Sequence, residues 1–493
     1  MRTVCTLAAC AALSMAARSQ CPLQLSPVAQ LSGGVNGVAS AAGVTYVTGY
    51  ASQLSSPSWG GFARANGSSW AEVDGGLKGA PSWSTFPPIP FGAAVEALDD
   101  GTATVAVGGQ FVYAGTVTAN GLALYDGAAW SSMGAGVNGV VHALASDRQG
   151  GVFAGGAFTT VDGVAASRVA HWDGSQWTAL GSGVDTPGGV VFAMTVTAAG
   201  DLVIVGSFQS VGGVVAPGIA RWDGAAWHAL PGVALAPSFG YAVTGAPNGD
   251  LFVGGAVQVG PTPASVARWD GATWSALLPP TFLSPRALEV LPDGSLVVQT
   301  SSGLSRWRDG QFSVVTTVSG QVTAIDANDR GQLHLGGSFA NVGGVFTSNV
   351  ARLQTACPAS VAPFGPGCAW SAGAASLQVD APAWLGGTYR ARADGLPSHA
   401  VAASVYGLTP QVAPLWNLLP MTMPGCLSYP SADFVALAVA AGGALVTEQS
   451  LPYAPSLFGA SLYHQLVVFE LDAAGACVSV SASNALELTL GVF

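Results

Sequence analysis

GVFAGGAFTTVDGVAASRVAHWDGSQWTAL, residues Gly151 to Leu180, is a theme on which most of the chain up to residue 355 is a variation. Its decisive piece, Ala170-His171-Trp172-Asp173-Gly174-Ser175-Gln176-Trp177, recurs as Ala220 to Trp227 and as Ala267 to Trp274. Weaker copies are Tyr125-Asp126-Gly127 with Trp130, Trp307-Arg308-Asp309-Gly310 with Phe312, and Asn66-Gly67 with Trp70. Asp-Gly between β-prone runs supplies the positive φ that a tight hairpin demands. With Asp173 and Gly174 as a two-residue loop, Trp172 is expected opposite Ser175, His171 opposite Gln176 and Ala170 opposite Trp177. The two indoles then lie diagonally on one face, burying on the order of 300–500 Å² of ring surface. Upstream, Val152 to Phe158 reads as a strand whose paired glycines admit a neighbouring backbone, and Val141 to Leu144 as another. One unit is therefore a four-stranded antiparallel sheet.

The turn glycines Gly67, Gly127, Gly174, Gly224, Gly271 and Gly310 are spaced 39 to 60 residues apart. Four strands at such a period predict an all-β fold, a β-propeller. Counting the second-strand element gives seven units: Val47 to Gly49, Val107 to Phe111, Ala154 to Phe158, Val205 to Phe208, Val253 to Val257, Val297 to Thr300 and Leu335 to Phe339. The seventh unit stops at Val350-Ala351-Arg352-Leu353, short of a fourth strand. Residues Leu23 to Leu31 could supply it and close the ring. The expected organisation is a leader over 1–19, a seven-bladed propeller over 20–356 closed by its N-terminal strand, a Pro/Gly-rich link over 357–374 and a small β-sandwich over 375–493. The proline-rich stretch Gly75 to Pro90 reads as a long loop.

Composition narrows the function. Of 493 residues 50% are apolar and 8% charged, Lys78 is the single lysine, and net charge is −11. Neither phosphate neutralisation nor polybasic docking is within reach, so nucleic acid and anionic membrane surfaces are excluded as partners. Met1-Arg2, an apolar run to Ala17 and small residues at Ala17 and Ser19 read as a secretory signal peptide, so a secreted or cell-surface protein is expected. No other run reaches the ~20 apolar residues a membrane span needs; Phe434 to Val446 comes nearest, and Gly442-Gly443 splits it into two strands. In an oxidising compartment Cys21, Cys357, Cys368 and Cys426 are disulfide candidates. A Cys21–Cys357 bridge would staple the closure; Cys357–Cys368 is the competing pair. Cys477 makes the count odd, leaving one thiol free or paired outside the chain.

The Asp-Gly-x-x-Trp units with their Gly-Gly-x-Phe strands resemble the kelch-like propeller repeats of large exported bacterial proteins, over roughly residues 30 to 355. The tail, with Pro424-Gly425-Cys426, Gly459 before Tyr463 and Gln465, and Ser483-Asn484-Ala485-Leu486, resembles a C-terminal β-module of secreted planctomycete-type proteins. Cys477, shortly before the Ser-Asn motif, departs from that pattern. Neither resemblance implies an activity or catalytic residues. The sialidase Asp-box is close, but its Asp and aromatic stand one residue further apart.

Chemistry is sparse. The innermost strands follow a Val-x-Ala-Leu frame, and position x carries Glu96, His142, Phe192, Tyr241, Arg286 and Thr323. These six are the candidate ligand-binding residues at the channel mouth; the alternative reading is that x simply tolerates variety beside a water-filled channel. Asp126, Asp173, Asp223, Asp270 and Asp309 read as turn residues. Asp326 to Gly331 has calcium-loop spacing, but its equivalents at Asn248-Gly249 and Asp293-Gly294 are plain turns, so no metal is assigned. His171 aligns with Arg221, Arg268 and Arg352, a blade-surface position. Six glutamates are present, Glu72, Glu96 and Glu289 falling within the repeats, and no carboxylate pair of the kind glycosidases use is recognisable. No catalytic residue and no cofactor are assigned. The expected function is non-enzymatic binding of glycan or protein, or surface assembly; the alternative is a propeller hydrolase or lyase acting on polysaccharide.

Overall fold

The computed structural model describes residues 23–492 apart from stretches of which the longest are 27–30, 51–59, 80–90, 99–102, 237–241 and 281–284. The leader, Cys21, Cys357, Tyr241, Gly67 and the proline-rich part of the first unit's loop lie outside the described residues. The fold is all-β, with a short 3-10 segment at Leu415–Asn417. The chain divides into two compact units. One holds residues 24–328 and 332–354; the other holds 355–493 with two short pieces.

The larger unit contains seven antiparallel sheets of four or five strands among its described residues. The third is typical: Val141–Ser146, Val152–Gly156, Val169–Trp172 and Trp177–Ala179, in that spatial order. First strands neighbour one another in chain order, from Val35–Ala41 through Phe91–Ala97, Val141–Ser146, Val190–Val196, Ala242–Gly245 and Leu288–Val290 to Val318–Asn328, which returns to lie beside Val35–Ala41. In the last sheet Leu23–Ser26 pairs with Val350–Thr355. That places the chain's first described strand against its seventh unit.

The repeat hairpin differs from the expected register. Trp172 stands directly opposite Trp177, His171 opposite Thr178 and Ala170 opposite Ala179, so the loop has four residues, not two. The reason lies in Asp173. Its Oδ1 accepts the N–H groups of Ser175 and Gln176, each at 2.8 Å, a side-chain turn that needs two more residues than an Asp-Gly hairpin. Gly174 supplies φ 96°. The indoles are tilted by 50° with centroids 5.5 Å apart, and the same pairing holds at Trp222–Trp227 and Trp269–Trp274. Trp177 Nε1 donates to the Met133 carbonyl and Trp227 Nε1 to that of Leu180. Each indole so ties its sheet to the exit of the preceding one.

Paired glycines serve the sheet-to-sheet approach. A Cβ on Gly155 would lie 2.3 Å from Met194 Cε and 2.7 Å from Val191 Cγ1, both on the next sheet's first strand. A Cβ on Gly156 would lie 2.0 Å from the Val140 carbonyl oxygen. Buried alanines such as Ala106, Ala154 and Ala220 continue the small-residue surface against Val, Leu and Phe of the neighbouring sheet.

The tail unit is a sandwich. One sheet runs Ser360–Gly365, Ala485–Thr489, Ser461–Leu471, Ala400–Gly407, Phe434–Val439, with Cys477–Ala482 on its flank; the other is Ser376–Ala381, Thr388–Asp394, Leu445–Ser450. Phe434–Val439 and Leu445–Ser450 are thus separate strands, split where Gly442-Gly443 stands. Between the sheets Leu377, Tyr389, Leu466 and Leu488 make one buried core. The stretch read as a link over 357–374 is instead part of this unit. Ser360–Gly365 pairs with Ala485–Thr489, and Phe364 packs on Tyr429 and Tyr463, so an apolar strand is hidden within a Pro/Gly-rich composition. Cys368 bonds Cys426. The Cys357–Cys368 alternative is thereby overturned, Cys368 being committed elsewhere, and Cys477 carries a free thiol.

Candidate functional site

Position x of the sequence frame turns out to be a bulge. The register shifts between Val141 and Ala143, between Val191 and Ala193, and between Val322 and Ala324, which leaves His142, Phe192 and Thr323 as the extra residues. In the second sheet the shift falls between Gly92 and Ala94, so Ala93, not Glu96, is the equivalent residue. Val95-Glu96-Ala97-Leu98 mimics the frame three residues late. The pairing decides against it, because Ala94 faces Gly108 as Ala143 faces Gly155.

The bulge residues lean on the neighbouring sheet. The His142 and Phe192 rings lie 5.6 Å apart, and burial lowers the imidazole to about 4. Thr323 Oγ1 donates to the Val35 carbonyl across the seventh and first sheets. Arg286 is exposed just ahead of its strand. Among the described ones, His142, Phe192, Arg286 and Thr323 are absent from the wall of the cavity that holds Glu96.

Glu96 belongs to another rank. Reading across the second-strand partners, its equivalents are Ala39, Ala145, Thr195, Thr244, Glu289 and Asp326. One level of the inner strands therefore carries three carboxylates. Each reaches to the next sheet: Glu96 Oε1 accepts the Ser146 N–H at 3.2 Å, Glu289 accepts the Ala327 N–H, and Asp326 Oδ2 accepts the Ser40 hydroxyl at 2.6 Å. The physical cause is the open edge. An innermost strand has a sheet partner on one side only, so its other N–H groups need acceptors.

Glu96 and Glu289 also share a cavity of about 280 Å³, with Ser146, Arg148, Thr195 and Thr244 in its wall and the inner strands' backbone between them. Arg148 Nη2 donates to the Val196 carbonyl at 3.1 Å, and Ser146 Oγ donates to that of Leu98 at 2.9 Å. Glu289 keeps some accessible surface on the cavity side but is enclosed by protein; burial first, then the charges of Asp326 and Glu96, hold its carboxyl well above the ordinary range. The set offers closely mixed donors and acceptors in a wall with almost no apolar surface. Sequence reasoning found Glu96 and missed Glu289, Arg148, Thr195 and Thr244; aligning the units on their second strands would have stacked Glu289 on Glu96.

On the third strands, His171, Arg221, Arg268 and Arg306 each hold the acid of the turn between first and second strands, Asp147, Asp201, Asp250 and Asp293. These pairs fasten one sheet to itself, and they agree with His171 as a blade-surface residue. Among the described residues no helix is long and apolar enough to cross a membrane.

No family model matches the chain and no curated protein matches it. Among solved structures it is similar to the extracellular domain of a protein described as a hybrid two-component system, BT4673, from B. thetaiotaomicron, with 10% identity and a TM-score of 0.43. That match covers 96% of this chain and 59% of the other, so this chain spans about three fifths of that domain's length. It is also similar to a protein described as a gluconolactonase, at 14% identity and a TM-score of 0.27, over 43% of this chain and 87% of that one. A further BT4673 extracellular domain, described as part of a one-component system, matches at 9% identity and a TM-score of 0.24, over 95% of this chain and 87% of the other.

Proposed function

We propose that the seven sheets are the blades of one closed ring, that the chain is exported, and that it works as a binding protein for glycan or protein through the end of its central channel. The single observation that carries this is the polar cavity walled by Glu96, Ser146, Arg148, Thr195, Thr244 and Glu289, side chains contributed by five successive inner strands. Strands present all of those groups except Arg148, which stands in the turn just after Val141–Ser146, and rigid elements are how a preformed site is held. The Cys368–Cys426 bridge supports an oxidising compartment, and the leader over 1–19 supports export. The ring is read over 20–356, and the sandwich begins near Thr355, earlier than a boundary at 375.

The test is an array of glycans and peptides probed with the mature chain. Retention of one ligand class by the wild type, weakened at least about tenfold by Glu96→Gln, supports the reading; retention of none sinks it. A second reading is favoured by one fact, the presence in one cavity of Glu96 and of Glu289, whose carboxyl is held well above the ordinary range by burial. Glu289 would give its proton to a glycosidic oxygen while Glu96 takes one from the attacking water, the division of labour of a hydrolase with an acid and a base carboxyl. Release of reducing ends that stops in Glu289→Gln would establish it.

A further inference from the structure

The cavity's chemistry narrows its ligand, and this step rests on the binding function just proposed. At about 280 Å³ it lies just under the roughly 300–1,000 Å³ of pockets that take drug-sized ligands, so one six-membered ring fits and a chain does not. Its wall carries carboxyl groups at Glu96 and Glu289, a guanidinium at Arg148 and hydroxyls at Thr195 and Thr244. A phosphate or carboxylate ligand would meet Glu96. A primary ammonium has donors only and would face Arg148. An apolar ligand would strip water from every polar group without replacing its hydrogen bonds. A hydroxyl both donates and accepts, and vicinal hydroxyls match the paired atoms of a carboxylate and of a guanidinium. Among the described residues no aromatic side chain is in the wall, so hydrogen bonds are the contacts those residues offer.

We infer that the cavity binds a single neutral sugar ring end-on, with Glu96 and Arg148 taking vicinal hydroxyl pairs and Thr195 and Thr244 fixing its orientation. The ring comes either as a free monosaccharide or as the terminal residue of a longer glycan. Both Thr side chains lie outside the inter-sheet latches, which use Glu96, Glu289 and Asp326. They can therefore be changed without opening the ring.

Calorimetric titration of the whole mature chain separates the outcomes. The probes are neutral hexoses, their methyl glycosides, oligosaccharides ending in the same residue, and lysine and inorganic phosphate as contrasts. The inference expects a neutral hexose to bind in about the millimolar range or tighter, with at least about tenfold loss in Thr195→Val combined with Thr244→Val. Equal affinity for the free sugar and its oligosaccharide assigns the terminal-residue source; binding of the free sugar alone assigns the monosaccharide source. Preference for lysine or phosphate overturns the inference, as does hexose binding that the threonine pair leaves unchanged. Array binding that survives both threonine changes leaves the binding function standing and removes this cavity as its seat. No binding in either experiment removes both.

Discussion

At Asp173 the carboxylate accepts the N–H of Gln176, the hydroxyl of Ser175 and the N–H of Ser175, and these bonds hold it down at about 2. A folded pKa below the unfolded value near 4 contributes stability that is present above pH 4 and lost as pH falls through 2. Asp126, Asp223 and Asp270 are lowered in the same way by their own turn amides. Calorimetry should therefore show the unfolding midpoint dropping between pH 4 and 2, and a chain with these four aspartates changed to Asn should drop less. His464 has the opposite chemistry and the same sign. Burial lowers it to about 3, with Tyr389 Oη 2.9 Å from Nδ1 and Ser404 Oγ 2.7 Å from Nε2 and Tyr406 stacked on its face at 4.2 Å. The unfolded chain takes the proton first, near 6.5, so stability falls as pH drops from 6.5 towards 3, by an amount on the order of a few kcal/mol. Proton NMR should find the imidazole neutral at pH 5, and His464→Gln should flatten that part of the stability profile. Protonation of this imidazole at pH 5 in the folded chain would refute the assignment. The aspartates were legible in the sequence as turn residues because Asp-Gly is a local signal. His464 was not, since its environment is made by strands 60 and 75 residues away.

Elements explain where the reading of the sequence slipped. Four strands per unit are legible from apolar runs and turns alone. Register is not, because a side-chain turn at Asp173 and a two-residue hairpin share the same Asp-Gly letters while shifting the partner of Trp172 from Ser175 to Trp177. The bulges at Ala93 and His142 have no compositional mark either, and so the sequence stacks Glu96 on His142 instead of on Glu289. The small residues beneath the bulge do carry a message. Gly155 and Gly156 face different obstacles: a flexible Met194 methyl and a Val191 side chain for the first, the fixed Val140 backbone for the second. Overpacking costs about 1–3 kcal/mol and more where the neighbour cannot yield. Gly156→Ala should therefore destabilise more than Gly155→Ala, by about 1 kcal/mol or more. Urea denaturation of the two variants decides it, and equal or reversed losses would show that the Val140 backbone yields as readily as the Met194 and Val191 side chains.

At the scale of the whole molecule, the repeat dictates that each inner strand packs against the next, and such a row ends either in two exposed edges or in a circle. Here Val318–Asn328 lies beside Val35–Ala41, and Leu23–Ser26 completes the sheet that holds Val350–Thr355. Asn349 Nδ2 donates to the Leu31 carbonyl and the Leu31 N–H to that of Ser348, so the junction is hydrogen-bonded beyond the strand that joins it as well. Removing residues up to Ser26 would strip one strand from that sheet and leave Val350–Thr355 with an unpaired row of N–H and C=O groups, a template for another chain. The loop between the joined segments is over 300 residues long, yet closure entropy grows only with the logarithm of loop length, so a few strand hydrogen bonds suffice to hold it. The shortened chain should melt at a lower temperature and associate in a concentration-dependent way, both seen by light scattering during a thermal ramp. A synthetic peptide covering residues 20–30 added in trans should reverse both effects by refilling the vacant edge. Unchanged melting without that strand would mean that the inner strands alone hold the circle.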